Sequence, residues 1–220
     1  QFIICLAPSR FNKSEVILKR GGYFILFFFC VMGLWPQILS ADWMTAPEQN
    51  IPVCTAQEAQ NFPELAPDGH GGVIVAWNDA RNGNQDIFAQ RVSAKGEMLW
   101  GKDGIPICDL PSPQGWSIVL TDENEGAIII FRDLRHGNPD IYAQRVDANG
   151  RLLWDKEGIP VCVAPSLQDD VKAIPDGEGG VILAWEDWRN GNQDIYAQRI
   201  DGDGKPVWTP NGVPVYRGDD

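Results

Sequence analysis

The run Val73-Ile74-Val75-Ala76-Trp77 is apolar at every position and lies between Gly71-Gly72 and a polar loop that opens with Asn78-Asp79. Such a run predicts a short strand covered on both faces. A second strand is predicted over Ile87–Val92, followed by a turn at Ser93-Ala94-Lys95-Gly96, with another strand beginning at Glu97 and reaching Trp100. A further short strand over Asn61–Ala66 ends at the turn Pro67-Asp68-Gly69, giving about four antiparallel strands and no room for a helix of ordinary length.

The pattern returns with a fixed period. Asp86-Ile87-Phe88-Ala89-Gln90-Arg91 recurs as Asp140-Ile141-Tyr142-Ala143-Gln144-Arg145 and as Asp194-Ile195-Tyr196-Ala197-Gln198-Arg199, each 54 residues on. The same interval separates Ile51-Pro52-Val53-Cys54, Ile105-Pro106-Ile107-Cys108, Ile159-Pro160-Val161-Cys162 and Val213-Pro214-Val215-Tyr216, and it relates Trp77, Phe131 and Trp185. Four strands per repeat define a propeller blade, so the expected fold is all-β, a β-propeller of four-stranded blades. A β-solenoid is the competing repeat fold, but its coils are usually shorter and seldom rich in hairpin turns. Repeats are placed at about 51–104, 105–158 and 159–212, with the start of a fourth at 213–220. The 179 residues after Ala41 hold 3.3 periods, fewer than the roughly 4 to 8 blades of a closed ring, so an incomplete N-terminal piece of a propeller is expected, open to self-association.

Residues 1–41 are read apart. Lys19 and Arg20 precede an apolar run from Tyr23 to Trp35, shorter than the roughly 20 residues of a membrane span, and Leu39-Ser40-Ala41 offers a cleavage site. The expectation is a signal peptide, an exported or surface-located mature chain (42–220) without a membrane span, and an upstream extension over about residues 1–17. The net charge of −12 includes four basic side chains and one acidic in residues 1–41, so the remainder carries −15. That charge repels phosphate backbones and argues against a nucleic-acid partner.

The stretch from Asp176 to Trp208, Asp-Gly-x-Gly-Gly-Val-Ile-x-Ala-Trp-x-Asp-x-Arg-x-Gly-Asn-x-Asp-Ile-Tyr-Ala-Gln-Arg-x-Asp-x-x-Gly-x-x-x-Trp, resembles the repeats of secreted bacterial β-propeller proteins, distantly sialidase-like. The resemblance implies an exported propeller, often within a larger protein carrying additional modules. The Ser-x-Asp-x-Gly-x-x-Trp box of sialidases is not matched in any copy.

Candidate chemistry lies first in the loop of each repeat: Asp79, Arg81, Gly83 and Asp86; Asp133, Arg135, Gly137 and Asp140; Asp187, Arg189, Gly191 and Asp194. Alternating oxygen ligands invite a calcium reading, but an Arg stands where the second ligand belongs, which favours a metal-free structural loop. No cofactor is expected. The Gln-Arg pair of each repeated strand is assigned to scaffolding, because a catalytic group is needed once and not in every blade. Cys54, Cys108 and Cys162 are expected as buried free thiols, and His70 and His136 have no nucleophile to form a triad.

Two functions follow. One is a non-catalytic surface or extracellular module binding an unknown protein or carbohydrate; the other is part of a carbohydrate-active propeller enzyme of sialidase-like or lyase-like type. They differ in one respect: an enzyme should gather its repeat-breaking polar residues on one face, and Ser117, Leu134, Pro139 and Trp188 look scattered along the sequence. The sequence therefore favours the binding module.

Overall fold

The computed structural model describes residues 50–122 and 124–218. The signal-peptide reading and the extension before it fall outside these residues. The described chain folds into three four-stranded antiparallel sheets. The first holds β1 (Gln60–Pro67), β2 (Val73–Asp79), β3 (Asp86–Val92) and β4 (Ile105–Cys108); the second, β5 (Gln114–Thr121), β6 (Ala127–Asp133), β7 (Asp140–Val146) and β8 (Ile159–Cys162); the third, β9 (Gln168–Pro175), β10 (Val181–Asp187), β11 (Asp194–Ile200) and β12 (Val213–Tyr216). In each, the spatial order follows chain order. These are propeller blades, three in number, fewer than close a ring.

The unbroken apolar runs become the two middle strands, as expected for sheets stacked between sheets. Alternation divides each blade into two faces. Ile74, Ala76, Ile87, Ala89 and Ile107 of the first blade pack on Ala127, Ile129, Phe131, Tyr142 and Val146 of the second. The second repeats this on the third, with Ile128, Ile130 and Ile141 against Val181, Leu183, Trp185 and Tyr196. Small aliphatic side chains on one face thus receive the large aromatics of the next blade.

Two expectations are corrected. Glu97–Trp100 is not a strand: its pairing is reduced to a single bridge between Val92 and Met98. The reason lies in Gln90, which is fully buried; its Oε1 accepts from the Trp100 N–H at 2.8 Å and its Nε2 donates to the Gly101 carbonyl at 2.6 Å, so a side chain replaces the ladder. The fourth strand is instead the Ile-Pro-x-Cys segment, and Val213–Tyr216 is not the start of a fourth blade but the outer strand of the third, pairing with β11. Val181, Leu183 and Trp185 are buried against the second blade, and Val75 and Trp77 are buried beneath Val53 and Cys54. The face left open is the opposite one of the third blade, where Ile182, Ala184 and Ile195 are partly exposed and Val215 is 65% exposed.

The Asp-Gly-x-Gly-Gly turn and the Gln-Arg pair form one clasp per blade. Asp68 Oδ1 accepts from the N–H groups of His70 and Gly72, and its Oδ2 accepts from Arg91 Nε at 3.1 Å. Arg145 with Asp122 and Arg199 with Asp176 repeat the contact, each at 2.9 Å. Arg91 also reaches across to the Ala148 carbonyl of the next blade, as Arg145 does to Gly202. Trp100 and Trp154 donate their indole N–H groups to these same two carbonyls. Blades are therefore joined by polar staples beside the apolar stack.

Candidate functional site

The repeated loop places its residues consistently. Asp79 is fully buried, and its carboxylate accepts from the Trp77 indole at 2.8 Å, from the Arg81 backbone at 2.9 Å and from the Arg81 guanidinium at 2.5 and 2.8 Å. Arg81 lies 4.0 Å from the centroid of the Phe88 ring and also donates to Cys54 Sγ and the Asp103 carbonyl. Asp187 with Arg189, Trp185, Tyr196 and Cys162 repeats this arrangement; Asp133 with Arg135 repeats it with Phe131 in the tryptophan position. Gly83, Gly137 and Gly191 turn the loop at positive φ. Asp86 accepts from Asn82, Asp140 from Asn138, and Asp194 from Asn190 and the Gly218 N–H. Among the described residues, no group of three or more His, Cys, Asp and Glu side chains is arranged to hold a metal ion.

Burial raises the pKa of the Asp79 and Asp187 carboxyls, but the bonds from Arg81 or Arg189 and from the tryptophan indole outweigh it and hold both below the ordinary carboxylate value of 3.8. A carboxyl with a lowered folded-state pKa contributes stability that is complete above its unfolded value and is lost as the pH falls through the folded one. The stability gap between the native protein and Asp79→Asn should therefore be constant from pH 5 to 7 and shrink below about pH 4. Urea unfolding of both proteins across that range checks it; a gap that widens in acid would contradict the assignment. Burial pushes the Cys108 thiol up to about 12 and the Cys162 thiol up to about 11, and Cys54, Cys108 and Cys162 are all free and buried.

The blades also differ in chemistry on the first strand of each. β1, β5 and β9 all carry a bulge at the same repeat position, between Asn61 and Glu64, between Gly115 and Ile118, and opposite Ala184 to Glu186. At its centre stand Phe62, Trp116 and Asp170 with φ of 51°, 48° and 44°. Non-glycine residues rarely occupy that region, and such strain gathers at functional sites. The bulge turns out side chains that a regular strand would pack: Phe62 is 56% exposed and Trp116 60%.

These residues line a cleft of about 570 Å³ with Glu64, Ser117, Arg132, Asp169 and Lys172. Phe62 and Trp116 stack across neighbouring blades with ring centroids 6.1 Å apart and planes inclined by 22°. Arg132 lies over the Trp116 ring at 3.8 Å and donates to Asp169 Oδ1 of the third blade at 2.5 Å, so one guanidinium fixes the indole and ties two blades together. Lys172 pairs with Asp170 at 2.5 Å at the exposed rim. Two buried polar atoms of the lining have no partner, namely Ser117 Oγ and Arg132 Nε.

One period apart, the repeat positions that line the cleft in at least one blade read Asn61, Gly115, Asp169; Phe62, Trp116, Asp170; Pro63, Ser117, Val171; Glu64, Ile118, Lys172; and Asn78, Arg132, Glu186. Repeat-breaking residues of the first strands, namely Phe62, Trp116, Ser117, Asp169 and Asp170, thus come together in the cleft with Arg132, which sequence order concealed. Of the departures singled out from sequence, Ser117 belongs to the cleft, while Leu134, Pro139 and Trp188 belong to the hairpin loops.

No protein-family model and no curated protein matches the chain. Among solved structures it is similar to a thermostable family-43 glycoside hydrolase, at 15% identity and a TM-score of 0.46 over 75% of this chain and 56% of that one. It is also similar to an endo-1,4-beta-xylanase from Bacteroides thetaiotaomicron VPI-5482, at 11% identity and a TM-score of 0.38 over 76% of this chain and 56% of that one. The chain therefore spans little more than half the length of either.

Proposed function

We propose that this chain is part of an exported carbohydrate-active propeller protein and that it takes a glycan in the cleft between β1, β5 and β9. The observation carrying this reading is the convergence of repeat-breaking residues in that cleft, the pattern expected of a site and not of a scaffold. An exposed aromatic platform offers the flat apolar surface on which the C–H face of a pyranose stacks, while carboxylates, a guanidinium and a hydroxyl beside it match sugar hydroxyls. The cleft also has the size of small-molecule sites, roughly 300 to 1,000 Å³. Asp169, Asp170 and Glu64 bring carboxylates of the kind glycoside chemistry employs. The basic pair and apolar run before Ala41 support export.

Glycan-array binding by the chain tests this directly. Trp116→Ala should weaken binding to the best glycan at least about tenfold, the loss of one stacking contact worth roughly 1.4 kcal/mol or more. Its unfolding midpoint should hardly move, since the ring is mostly exposed. Incubation of the same glycan with the protein separates turnover from binding alone. Absence of glycan binding, or binding unaffected by Trp116→Ala, would reject the reading.

A further inference from the structure

Three aspartate side chains are buried in every blade, and two of them have a counter-ion. Asp79, Asp133 and Asp187 pair with Arg81, Arg135 and Arg189; Asp68, Asp122 and Asp176 pair with Arg91, Arg145 and Arg199. The third closes the hairpin loop. Asp86 and Asp140 are each 1% exposed, and neither forms an ion pair among the described residues. A carboxylate is costly to bury unless a cation or a full set of donors meets it. What meets it here is an amide donor and a group of carbonyl oxygens. Asn138 Nδ2 joins Asp140 Oδ1 at 2.7 Å to the Ser166 carbonyl at 3.0 Å and the Ala164 carbonyl at 3.4 Å. Gln168, fully buried at the start of the next blade, brings its Nε2 to the same two carbonyls and to that of Pro165, each at 3.3 Å. One period earlier, Asn84 donates to the Leu110 and Ser112 carbonyls at 2.7 and 3.1 Å, and Gln114 Nε2 donates to the Ser112 carbonyl. The Gln114 N–H holds the Gln85 carbonyl, next to Asp86, at 2.7 Å. The atoms left over are equivalent in the two junctions: Asp86 Oδ1 with Gln114 Oε1, and Asp140 Oδ2 with Gln168 Oε1, are buried and have no hydrogen-bond partner.

We propose that each of these two blade junctions binds one calcium ion, held by the Asp86 or Asp140 carboxylate, the amide oxygens of the Asn and Gln beside it, and two carbonyls of the connection to the next blade. A half-turn of an amide about its last torsion exchanges its NH2 group for its oxygen, so Asn138 and Gln168 can present either to the Ala164 and Ser166 carbonyls. With both turned, a carboxylate, two amide oxygens and two carbonyls make a hard, all-oxygen set of the kind calcium takes together with water. Magnesium fits it less well, because it demands a near-ideal octahedron and keeps several waters. A single carboxylate sets the affinity low, on the order of 0.1 to 1 mM, the range of extracellular modules. The Arg that interrupts the ligand spacing within each hairpin loop pairs with Asp79 or Asp133 and is not part of this set. Bound there, the ion ties the hairpin loop of one blade to the first strand of the next. Asp194, the third copy, has its two oxygens taken by Asn190 and the Gly218 N–H, so two ions per chain are expected.

Equilibrium dialysis of the full chain against radioactive calcium at physiological salt, with a magnesium control, tests this. The protein should take up two ions with an affinity in that range, and calcium should raise its melting temperature where equal magnesium does not. Asp86→Asn and Asp140→Asn keep the shape of the side chain and remove its charge. Each should lose one ion and the double variant both, while Asp194→Asn keeps two. Gln168→Met, which leaves every charge in place, should weaken one of the two ions at least about tenfold. A count below two, magnesium acting as well as calcium, or an unchanged count in both Asn variants overturns the proposal. Unchanged affinity in Gln168→Met does so as well, since counter-ions drawn to an acidic surface would not sense a neutral buried amide.

Discussion

Asp187→Ala is expected to destabilise the protein by about 3 to 5 kcal/mol, the range for breaking a buried ion pair from one side. The carboxylate is fully buried and accepts from the Trp185 indole, the Arg189 backbone and the Arg189 guanidinium at distances between 2.5 and 2.9 Å. Removing it strands a guanidinium that is only 16% exposed, left with Cys162 Sγ, the Asn211 carbonyl and the Tyr196 ring. None of these carries a full negative charge. The second blade supplies an internal control, because Phe131 there has no indole N–H to donate to Asp133. Arg135 Nε also makes no bond to Asp133, so Asp133→Ala should cost about 2 kcal/mol less, the net value of two hydrogen bonds. Urea unfolding of the two variants measures both numbers. A loss below about 1 kcal/mol for Asp187→Ala would mean that the pair is not integral to the blade, and equal losses would deny the indole its part.

Most of the fold could be read from the sequence because the blades repeat, and repetition turns weak local signals into a strong one. Middle strands were readable from uninterrupted apolar runs such as Val73–Trp77. The outer strand was missed because four residues with a central proline look like a break. Pro106 is tolerated there because only one side of an outer strand is paired. The false strand at Glu97–Trp100 has the opposite origin, since an aromatic end and a preceding turn imitate a hairpin, while the side chain of Gln90 captures the backbone that a ladder would need.

The candidate site was hidden for a related reason. Attention to repetition selects what the copies share, and shared residues such as Asp79, Arg81 and Gln90 hold each blade together. The cleft is built from the positions where the copies disagree. Phe62, Trp116 and Asp170 also owe their exposure to a left-handed bulge that a non-glycine sequence does not announce. Comparing the copies position by position, and keeping the places where the side-chain chemistry differs, would have found Asn61, Gly115 and Asp169 beside them. The period brings those places to the same end of neighbouring blades, so their convergence follows from the architecture once the strands are in register.

Gly104→Ala and Gly212→Ala should each cost about 2 to 5 kcal/mol, combining a left-handed backbone penalty of about 1 to 2 with overpacking of about 1 to 3. Gly104 has φ of 80°, and an added Cβ would lie 2.5 Å from Trp77 Cη2 and 2.7 Å from the Ala89 carbonyl; Gly212, at φ of 87°, would meet Trp185 and the Ala197 carbonyl at 2.5 and 2.8 Å. Neither obstacle can yield readily. The carbonyl belongs to a central strand, and the indole is buried and anchored through its N–H to Asp79 or Asp187. Gly158 occupies the same place in the second blade, where the smaller Phe131 leaves 3.0 Å to the ring and 3.1 Å to the Ala143 carbonyl. Its replacement by alanine should cost visibly less than the other two. Gly83, with φ of 96° and no atom within 4 Å of the added Cβ, isolates the backbone part, and Gly83→Ala should cost only about 1 to 2 kcal/mol. The order Gly104 and Gly212 first, then Gly158, then Gly83 is the expected result of chemical denaturation on the four variants. If Gly83→Ala proves as harmful as Gly104→Ala, backbone strain alone governs these turns, and the close approach of the tryptophan ring has no energetic part in fixing the blade.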